Sequence, residues 1–264
     1  MQAMWYKKPM KRLSVHNPFN APVYHEETVG STMDISRILA RNGEPHGTVI
    51  TADFQTAGRG RSERSWNMDK NTNLPFTILL RYLNIEAIPA ALTLRAGLAA
   101  ALGIEDFAPS LSGAVKIKWP NDIMIGSKKA AGILAEAEAG NVHIGIGINV
   151  GQKEFTGDLN KKAASISLAL GREIAAGERF VLLEKILARL YGELETAAGK
   201  DWRGRIEQRL YKKDEQISFI EGAADSGTVI KGRLAGIGPA GELLLEGESG
   251  TRSFITGELQ SMYI

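Results

Sequence analysis

The chain has 264 residues, 44% hydrophobic and 23% charged, which is enough to bury one sizeable core and a small second domain. Its formal net charge is +2, so the composition does not favour nucleic acid as the main partner. No cysteine is present, which excludes disulfides, thiol nucleophiles and cysteine-based metal sites.

Three further features bear on metal binding and on cellular location. The four histidines lack the spacing of metal ligands, so a zinc site is not expected. The basic start "MQAMWYKKPMKRLS" is not followed by an apolar stretch and does not resemble a secretion signal. The longest apolar run, near "RAGLAAALGI", is predicted to be too short to span a bilayer. We therefore expect a cytoplasmic protein without a membrane span.

The first half of the chain alternates strands and helices. Residues 1–22, rich in Pro, Lys and Asn, are expected to form an extension. The stretch "ETVGSTMDISRILARNG" predicts a helix, with Ser31 and Asp34 as a capping pair. Strands are predicted at "GTVITADFQTAG" and "LPFTILLRY", a buried helix at "ALTLRAGLAAAL", and a central strand at "GAVKIKW" that ends at Pro120.

The second half begins with "KAAGILAEAEAGNVHIGIGINV", which predicts two strands joined by Ala-Gly-Asn. Residues 179–196 predict an amphipathic helix whose apolar stripe includes Leu183, Leu187 and Leu190. From about residue 215 the pattern changes to short alternating strands, typical of a small β-barrel. Hairpins mixed with helices favour an α+β fold with a mixed β-sheet flanked by helices.

Two glycine-rich stretches are candidate ligand loops. "GIGPAG", residues 236–241, fits the G-x-G-x-x-G dinucleotide pattern, but Pro239 lies inside it and a strand follows, so we predict a hairpin turn. "GRGRSERSW", residues 58–66, fits neither that pattern nor a phosphate loop. Its glycines allow close backbone approach, its arginines match carboxylate or phosphate oxygens, and Trp66 offers a flat face for a base. Alone, this stretch is equally compatible with an arginine-rich surface turn.

A second cluster favours a ligand site. "KIKWPND" places Lys118, Asn121 and Asp122 at the end of a predicted strand, and Lys129 opens the next apolar stretch. Each residue alone is typical of a surface or a turn. Two lysines and a carboxylate together could hold a nucleotide and its magnesium ion.

The motifs, taken in order, resemble the biotin protein ligases. They are "STMD", "QTAGRGRSERSW", "KWPNDI", "KAAGILAE" and "IGIGIN", and the resemblance runs from about residue 25 to the end. It implies a catalytic domain related to class II tRNA synthetases and a C-terminal SH3-like barrel. The implied boundaries are an extension at 1–22, a biotin- and ATP-binding domain at 23–212 and the barrel at 213–264. The segment before residue 25 is shorter than the DNA-binding domain of family members that repress transcription, so DNA binding is not expected.

The resemblance also implies roles for individual residues. It assigns catalysis to Lys129, Arg59, Arg61 and Arg64. The biotin-binding positions that it implies are Ser31, Thr32, Gln55, Gly58, Arg59, Arg61, Lys129, Gly132 and Gly145. The ATP-binding positions that it implies are Arg61, Arg64, Trp66, Lys129, Asn149 and Gly147. Asp122 is expected near Mg²⁺ and the phosphates, whereas Met33 stands where asparagine is frequent and receives no role.

The implied activity is that of a biotin–[acetyl-CoA-carboxylase] ligase. Biotin and Mg-ATP would give biotinyl-5′-AMP, and a lysine of a biotin carboxyl carrier protein would then receive the biotin. Family members are often dimers, so a homodimer is an expectation. Two alternatives remain: a lipoate or octanoyl ligase of the same fold, although these lack "KWPND", and a nucleic-acid-binding protein that uses the Arg/Gly/Trp loop. The glycine-arginine loop is expected to be mobile when empty and to close over the adenylate.

Overall fold

The larger part of the protein is an eight-stranded mixed sheet. The computed structural model describes residues 10–62, 64–222 and 227–260. The strands are β1 (Lys11–Arg12), β2 (Val23–Val29), β3 (Thr48–Gln55), β4 (Leu74–Arg81), β5 (Val115–Lys118), β6 (Asp122–Ile125), β7 (Lys128–Glu138) and β8 (Asn141–Ile148). Their order in the sheet is β1-β2-β3-β4-β8-β7-β6-β5. The pair β2–β3 is parallel and the other neighbouring pairs are antiparallel.

Helices cover both faces of this sheet. They are α1 (Thr32–Arg41), α2 (Leu92–Phe107), α3 (Leu159–Lys162), α4 (Ile166–Leu170), α5 (Glu178–Glu195) and α6 (Trp202–Glu207), with 3-10 turns at Ile85–Ala87, Pro109–Leu111 and Ala197–Asp201. Val49 and Ile50 of β3 belong to different hydrophobic clusters, because successive strand side chains point to opposite faces. Ile50 packs with the helix α1 cluster, whereas Val49 belongs to the main core with α2 and α5.

Helix α2 is a core helix. Together with the preceding 3-10 turn it forms the segment Ile85–Phe107, whose 23 residues are long and apolar enough to cross a membrane by length and composition. The expectation that this run is too short was therefore wrong. Leu98 and Ile104 are completely buried inside the protein, however, and 56% of the segment's most apolar stretch is buried. Packing between α5 and the sheet thus accounts for its apolar composition.

The C-terminal part is a small antiparallel sheet, as expected for an SH3-like barrel. Its strands are β9 (Gln216–Glu221), β10 (Thr228–Ile237), β11 (Leu243–Gly247), β12 (Gly250–Phe254) and β13 (Glu258–Leu259), in the order β12-β11-β10-β9-β13. Phe219 packs on Phe254 at 4.8 Å and on Trp119 of the larger part at 5.9 Å between ring centres. Trp119 Nε1 also donates to the carbonyl of Gly241 at 2.9 Å, so the "GIGPAG" hairpin turn is also a contact between the two parts.

Three local expectations need correction or extension. Strand β5 lies at the edge of the sheet, not at its centre, and the buried Lys118 ends it. Ser31 does cap α1 by accepting from the Met33 amide, but Asp34 pairs with arginines and not with the cap. Part of the predicted extension, β1, pairs with β2, whereas residues 1–9 lie outside the described residues. The domain boundaries stay a prediction.

Candidate active site

One cavity of about 810 Å³ brings nearly all of the predicted site residues together. Its walls come from the loop at 58–66, the N-terminus of α1, strands β7 and β8, the turn after β5, and β13 of the barrel. The predicted residues that line it are Ser31, Thr32, Gln55, Arg59, Arg61, Arg64, Trp66, Asp122, Lys129, Gly132, Gly145, Gly147 and Asn149. Residues far apart in sequence thus meet, because β7 and β8 are neighbours in the sheet and both the turn after β5 and the loop at 58–66 lie beside them.

Gly58 is the predicted site residue that does not line the cavity, and it closes the base of the loop instead. Its carbonyl accepts from the Trp66 amide at 2.9 Å. A side chain here would place its Cβ 2.5 Å from the Trp66 carbonyl oxygen. The backbone of Gly58 was expected to lie close to a ligand, but it lies close to the backbone of Trp66 at the other end of the same loop.

A chain of buried polar groups forms one end of the cavity. Gln55 Oε1 accepts from the Thr32 amide at 2.8 Å and from its hydroxyl at 3.1 Å. The Thr77 hydroxyl donates in turn to the Thr32 hydroxyl at 2.9 Å. Because these side chains are buried and hold one another, they present hydrogen-bonding groups in fixed positions. This end suits a small ligand group rich in donors and acceptors.

Glycines leave the strand backbone bare along the adjoining wall. A Cβ at Gly145 would lie 2.8 Å from the Met33 sulfur, and one at Gly147 would lie 2.6 Å from the Trp66 ring. At Gly132 a Cβ would meet the Lys129 ammonium at 3.2 Å and the Trp66 ring at 3.3 Å. Glycine at positions 132 and 147 is thus required for Trp66 to pack closely against β7 and β8.

Each loop arginine is anchored to a different wall. Arg59 Nη2 donates to Asp34 of α1 at 2.7 Å, and Arg61 Nη1 donates to Asn121 of the turn at 3.2 Å. Arg64 forms two hydrogen bonds with Glu258 of the barrel. The loop therefore spans the cavity mouth through polar contacts. Such partly exposed contacts contribute about 0–1 kcal/mol each, so they hold the loop only weakly.

Two lysines place positive charge on the cavity wall near the loop. Lys129 Nζ lies 2.6 Å from Asp122 Oδ1 and 5.7 Å from the centre of the Trp66 ring. Lys118 is 6% exposed, and this burial lowers its pKa, whereas the negative charges of Asp122 and Glu258 act in the opposite direction. The cavity can therefore balance the charge of a strongly anionic ligand.

Asn149 contributes to the wall and to the backbone that supports it. Its side-chain Nδ2 donates to the Ala164 carbonyl at 3.0 Å, and its backbone carbonyl accepts from the Ile166 amide at 3.0 Å. The buried side chain thus fixes the start of α4 against the end of β8. Its predicted contact with adenine stays a prediction.

Sequence reasoning missed the barrel's share of the cavity. Ile220, Glu258, Leu259 and Gln260 line it, although nothing in their local sequence indicates a ligand. Only the folding of the barrel against the "KWPND" turn brings them there. Met33 was given no role, yet it is buried and lines the cavity.

The described residues offer few side chains that could bind a metal ion. Among residues 10–62, 64–222 and 227–260, no group of three or more His, Cys, Asp or Glu side chains could hold a metal ion. Asp122 is already paired with Lys129. The protein side chains described thus do not form a metal cage of their own.

The comparisons with known proteins agree with this arrangement. Residues 27–152 match the biotin/lipoate A/B protein ligase family. A biotin–[acetyl-CoA-carboxylase] ligase from Paracoccus denitrificans is 30% identical over 220 residues, which cover 80% of this chain and 88% of the relative. The chain belongs to the biotin protein ligase family. The bifunctional ligase/repressor BirA of Bacillus subtilis is 41% identical over 160 residues, which cover 58% of this chain.

The chain spans 48% of the length of that Bacillus subtilis relative. A solved biotin protein ligase from Aquifex aeolicus, in complex with biotin and ATP, superposes with a TM-score of 0.74 at 27% identity. The match covers 90% of this chain and 97% of the Aquifex chain. The fold expected from the family resemblance, a mixed sheet flanked by helices with a C-terminal SH3-like domain, is therefore confirmed.

Proposed function

We propose that the chain is an ATP-dependent biotin protein ligase that forms biotinyl-5′-AMP and transfers biotin to a lysine of a carrier protein. The observation that carries this proposal is the composition of the cavity. Lys129 and three loop arginines line it together with glycines of β7 and β8, and buried polar side chains form one end of it. The polar end suits the ureido group of biotin. Trp66 and the cations suit an adenine ring and its phosphates.

The first step joins two anions. A biotin carboxylate oxygen attacks the α-phosphorus of ATP, the α–β phosphoanhydride bond breaks, a mixed anhydride between the carboxyl group and AMP forms, and pyrophosphate leaves. Two like charges about 4 Å apart repel by roughly 4 kcal/mol at an effective dielectric constant of 20. Lys129 can offset this repulsion from the wall, and Arg59 and Arg61 from the loop, because all three line the same cavity.

The second step needs no nucleophile from the protein. The neutral amine of the acceptor lysine attacks the adenylate carbonyl, the amide forms, and AMP leaves while the amine loses a proton. Until then the adenylate must be kept from water and from other amines. The loop at 58–66 borders the cavity and is held by weak polar contacts, so it can open for substrates and close again.

Magnesium is proposed to enter as part of the Mg-ATP substrate. The described side chains do not offer a metal cage, so the phosphates would provide most of the ligands. Asp122 would take part only if the nucleotide drew Lys129 away from it, because the two are paired at 2.6 Å. Its assignment as a metal-binding residue stays a prediction.

The acceptor is proposed to be the biotin carboxyl carrier domain of a biotin-dependent carboxylase. The named activity of the Paracoccus relative supports this proposal. A cytoplasmic location and a homodimer are proposed from the family resemblance. The expectation that the protein does not bind DNA stays a prediction.

The proposal is tested by the chemical identity of the activated acid. Purified protein with Mg-ATP is incubated with biotin, lipoate or octanoate, and the acyl-AMP products are identified by mass spectrometry before a carrier domain is added. We expect biotinyl-AMP, and then a mass increase on the carrier that is lost when its acceptor lysine is changed to arginine. Preferential formation of lipoyl- or octanoyl-AMP would support the alternative ligase. Stoichiometric binding of oligonucleotides without any acyl-AMP would support the nucleic-acid-binding alternative.

A further inference from the structure

Glu258 is a carboxylate among the cations of the cavity wall. It lies on β13, and its two oxygens accept from Arg64 Nη1 at 3.1 Å and from Nη2 at 2.6 Å. Arg61 and Lys118 line the same cavity. The hydrogen bonds from Arg64 hold the pKa of Glu258 below its usual range, against the effect of burial, and the charges of Lys118 and Arg61 add to this lowering. The carboxylate is thus ionised and surrounded by positive charge.

The contact with Arg64 uses the geometry by which a guanidinium also binds phosphate. Both anions accept two parallel N–H bonds from the arginine fork. A phosphate that took the same fork would come to lie beside the Glu258 carboxylate, and the two negative charges would repel. Phosphate binding to Arg64 and the ion pair with Glu258 therefore compete.

We propose that Glu258 competes with the polyphosphate of the nucleotide for binding to Arg64. Its ion pair holds Arg64, and with it the loop, against the barrel. A triphosphate or pyrophosphate takes Arg64 from Glu258 and frees the loop from the barrel. This inference rests on the proposed function, since that function makes the polyphosphate part of a nucleotide substrate.

The exposure of the pair makes such an exchange feasible. The side chains of Arg64 and Glu258 are 56% and 36% exposed, so water screens their attraction. A ligand with several phosphate charges faces Arg61, Arg64 and Lys118 together and can outweigh a single carboxylate. The ion pair lowers the affinity for polyphosphate without preventing its binding.

The test is the affinity for inorganic pyrophosphate, measured by isothermal titration calorimetry without biotin. The variant Glu258→Gln keeps the shape of the side chain and removes its charge, and we expect it to bind pyrophosphate about fivefold more tightly. Glu246→Gln is the matched control, because Glu246 is also an exposed barrel glutamate paired with an arginine, Arg233, but does not line the cavity. This control should bind as the unchanged protein does. Thermal unfolding checks that both variants are folded.

The variant Arg64→Gln distinguishes direct competition for Arg64 from a general effect of the Glu258 charge on pyrophosphate affinity. In Arg64→Gln, the further change Glu258→Gln should alter pyrophosphate affinity by less than about twofold. Unchanged or weaker binding by the single variant Glu258→Gln would overturn the inference, and weaker binding would indicate that Glu258 positions Arg64 for phosphate. A full gain that persists without Arg64 would also overturn it.

Failure of the proposed function gives a different result. If the unchanged protein forms no acyl-AMP while Glu258→Gln still tightens pyrophosphate binding, the ligase proposal fails and the competition stands. If biotinyl-AMP forms and the affinity for pyrophosphate does not rise, only the competition fails.

Discussion

Lys129 and Asp122 form an ion pair of 2.6 Å between neighbouring strands β7 and β6, on the wall of the cavity. The side chains are 35% and 21% exposed, so an incoming carboxylate and phosphate can reach the lysine ammonium. Asp122 thereby orients Lys129 without enclosing it. In the proposed mechanism, substrate anions take over part of this role.

Lys129→Gln should slow adenylate formation by a factor of about 10²–10³, because it removes a fixed positive charge where two anions must meet. The rate of biotinyl-AMP formation in a single turnover measures this effect. Lys128→Gln is the matched control, since the neighbouring ammonium is exposed and donates to the Asn160 carbonyl. Equal rates for both variants would contradict the role assigned to Lys129.

Arg61→Gly should leave the fold intact and let the adenylate escape, since the loop would lose its contact with Asn121. The expected result is biotin on lysines of bystander proteins, measured by mass spectrometry with an added unrelated protein. Arg172→Gly provides the control, because Arg172 is an exposed arginine outside the cavity. If labelling by Arg61→Gly stays confined to the carrier, the loop does not retain the adenylate through Arg61.

Gly147→Ala should raise the KM for ATP by about tenfold, since the added Cβ would lie 2.6 Å from the Trp66 ring and displace it. Overpacking should also cost about 1–3 kcal/mol of unfolding free energy. Gly192→Ala is the control: beyond its chain neighbours and the backbone of its own helix, no described atom lies within 4 Å of its Cβ, and alanine in helix α5 should stabilise by about 0.5–1 kcal/mol. An unchanged KM in Gly147→Ala would argue against the adenine role of Trp66.

His143 should make the fold sensitive to mild acid. Burial, followed by the charge of Arg37, lowers its pKa from 6.5 to about 4, and its Nδ1 lies 2.7 Å from the Ser36 hydroxyl. Between these two pH values the unfolded chain binds a proton that the native protein does not. The stabilisation is therefore complete above pH 6.5 and falls as the pH is lowered towards about 4, by about 3 kcal/mol in total.

Urea unfolding at several pH values tests this sign. His143→Gln cannot take up the proton, so its unfolding free energy should fall less between pH 6.5 and 4 than that of the unchanged protein. Equal slopes for the two proteins would show that other groups cause the acid sensitivity.

Regular elements could be predicted because their signals are local. Leu183, Leu187 and Leu190 are all buried on α5, and the "GIGPAG" stretch is a hairpin turn, as Pro239 and the following strand indicated. The burial of Glu193 on the same helix could not be predicted. It depends on Arg95 and Arg205, which pair with it from other elements.

The site was predictable in its composition more than in its contacts. Glycines and arginines of the loop are visible in the sequence, but the partners Asp34, Asn121 and Glu258 come from three separate segments. Strand β5 was predicted to be central, whereas it lies at the edge because β6 is its one partner strand among the described residues; on its other side Ile117 forms only an isolated bridge with Leu210. Long-range pairing, which no local pattern records, decided these points.

The most direct test of the account is biotin-dependent exchange of labelled pyrophosphate into ATP by the purified protein. Reversible adenylate formation at the cavity predicts rapid exchange with biotin, background exchange with lipoate or octanoate, and a loss of about 10²–10³ in Lys129→Gln. Absence of biotin-dependent exchange in a folded protein, or exchange equally dependent on another acid, would contradict the account.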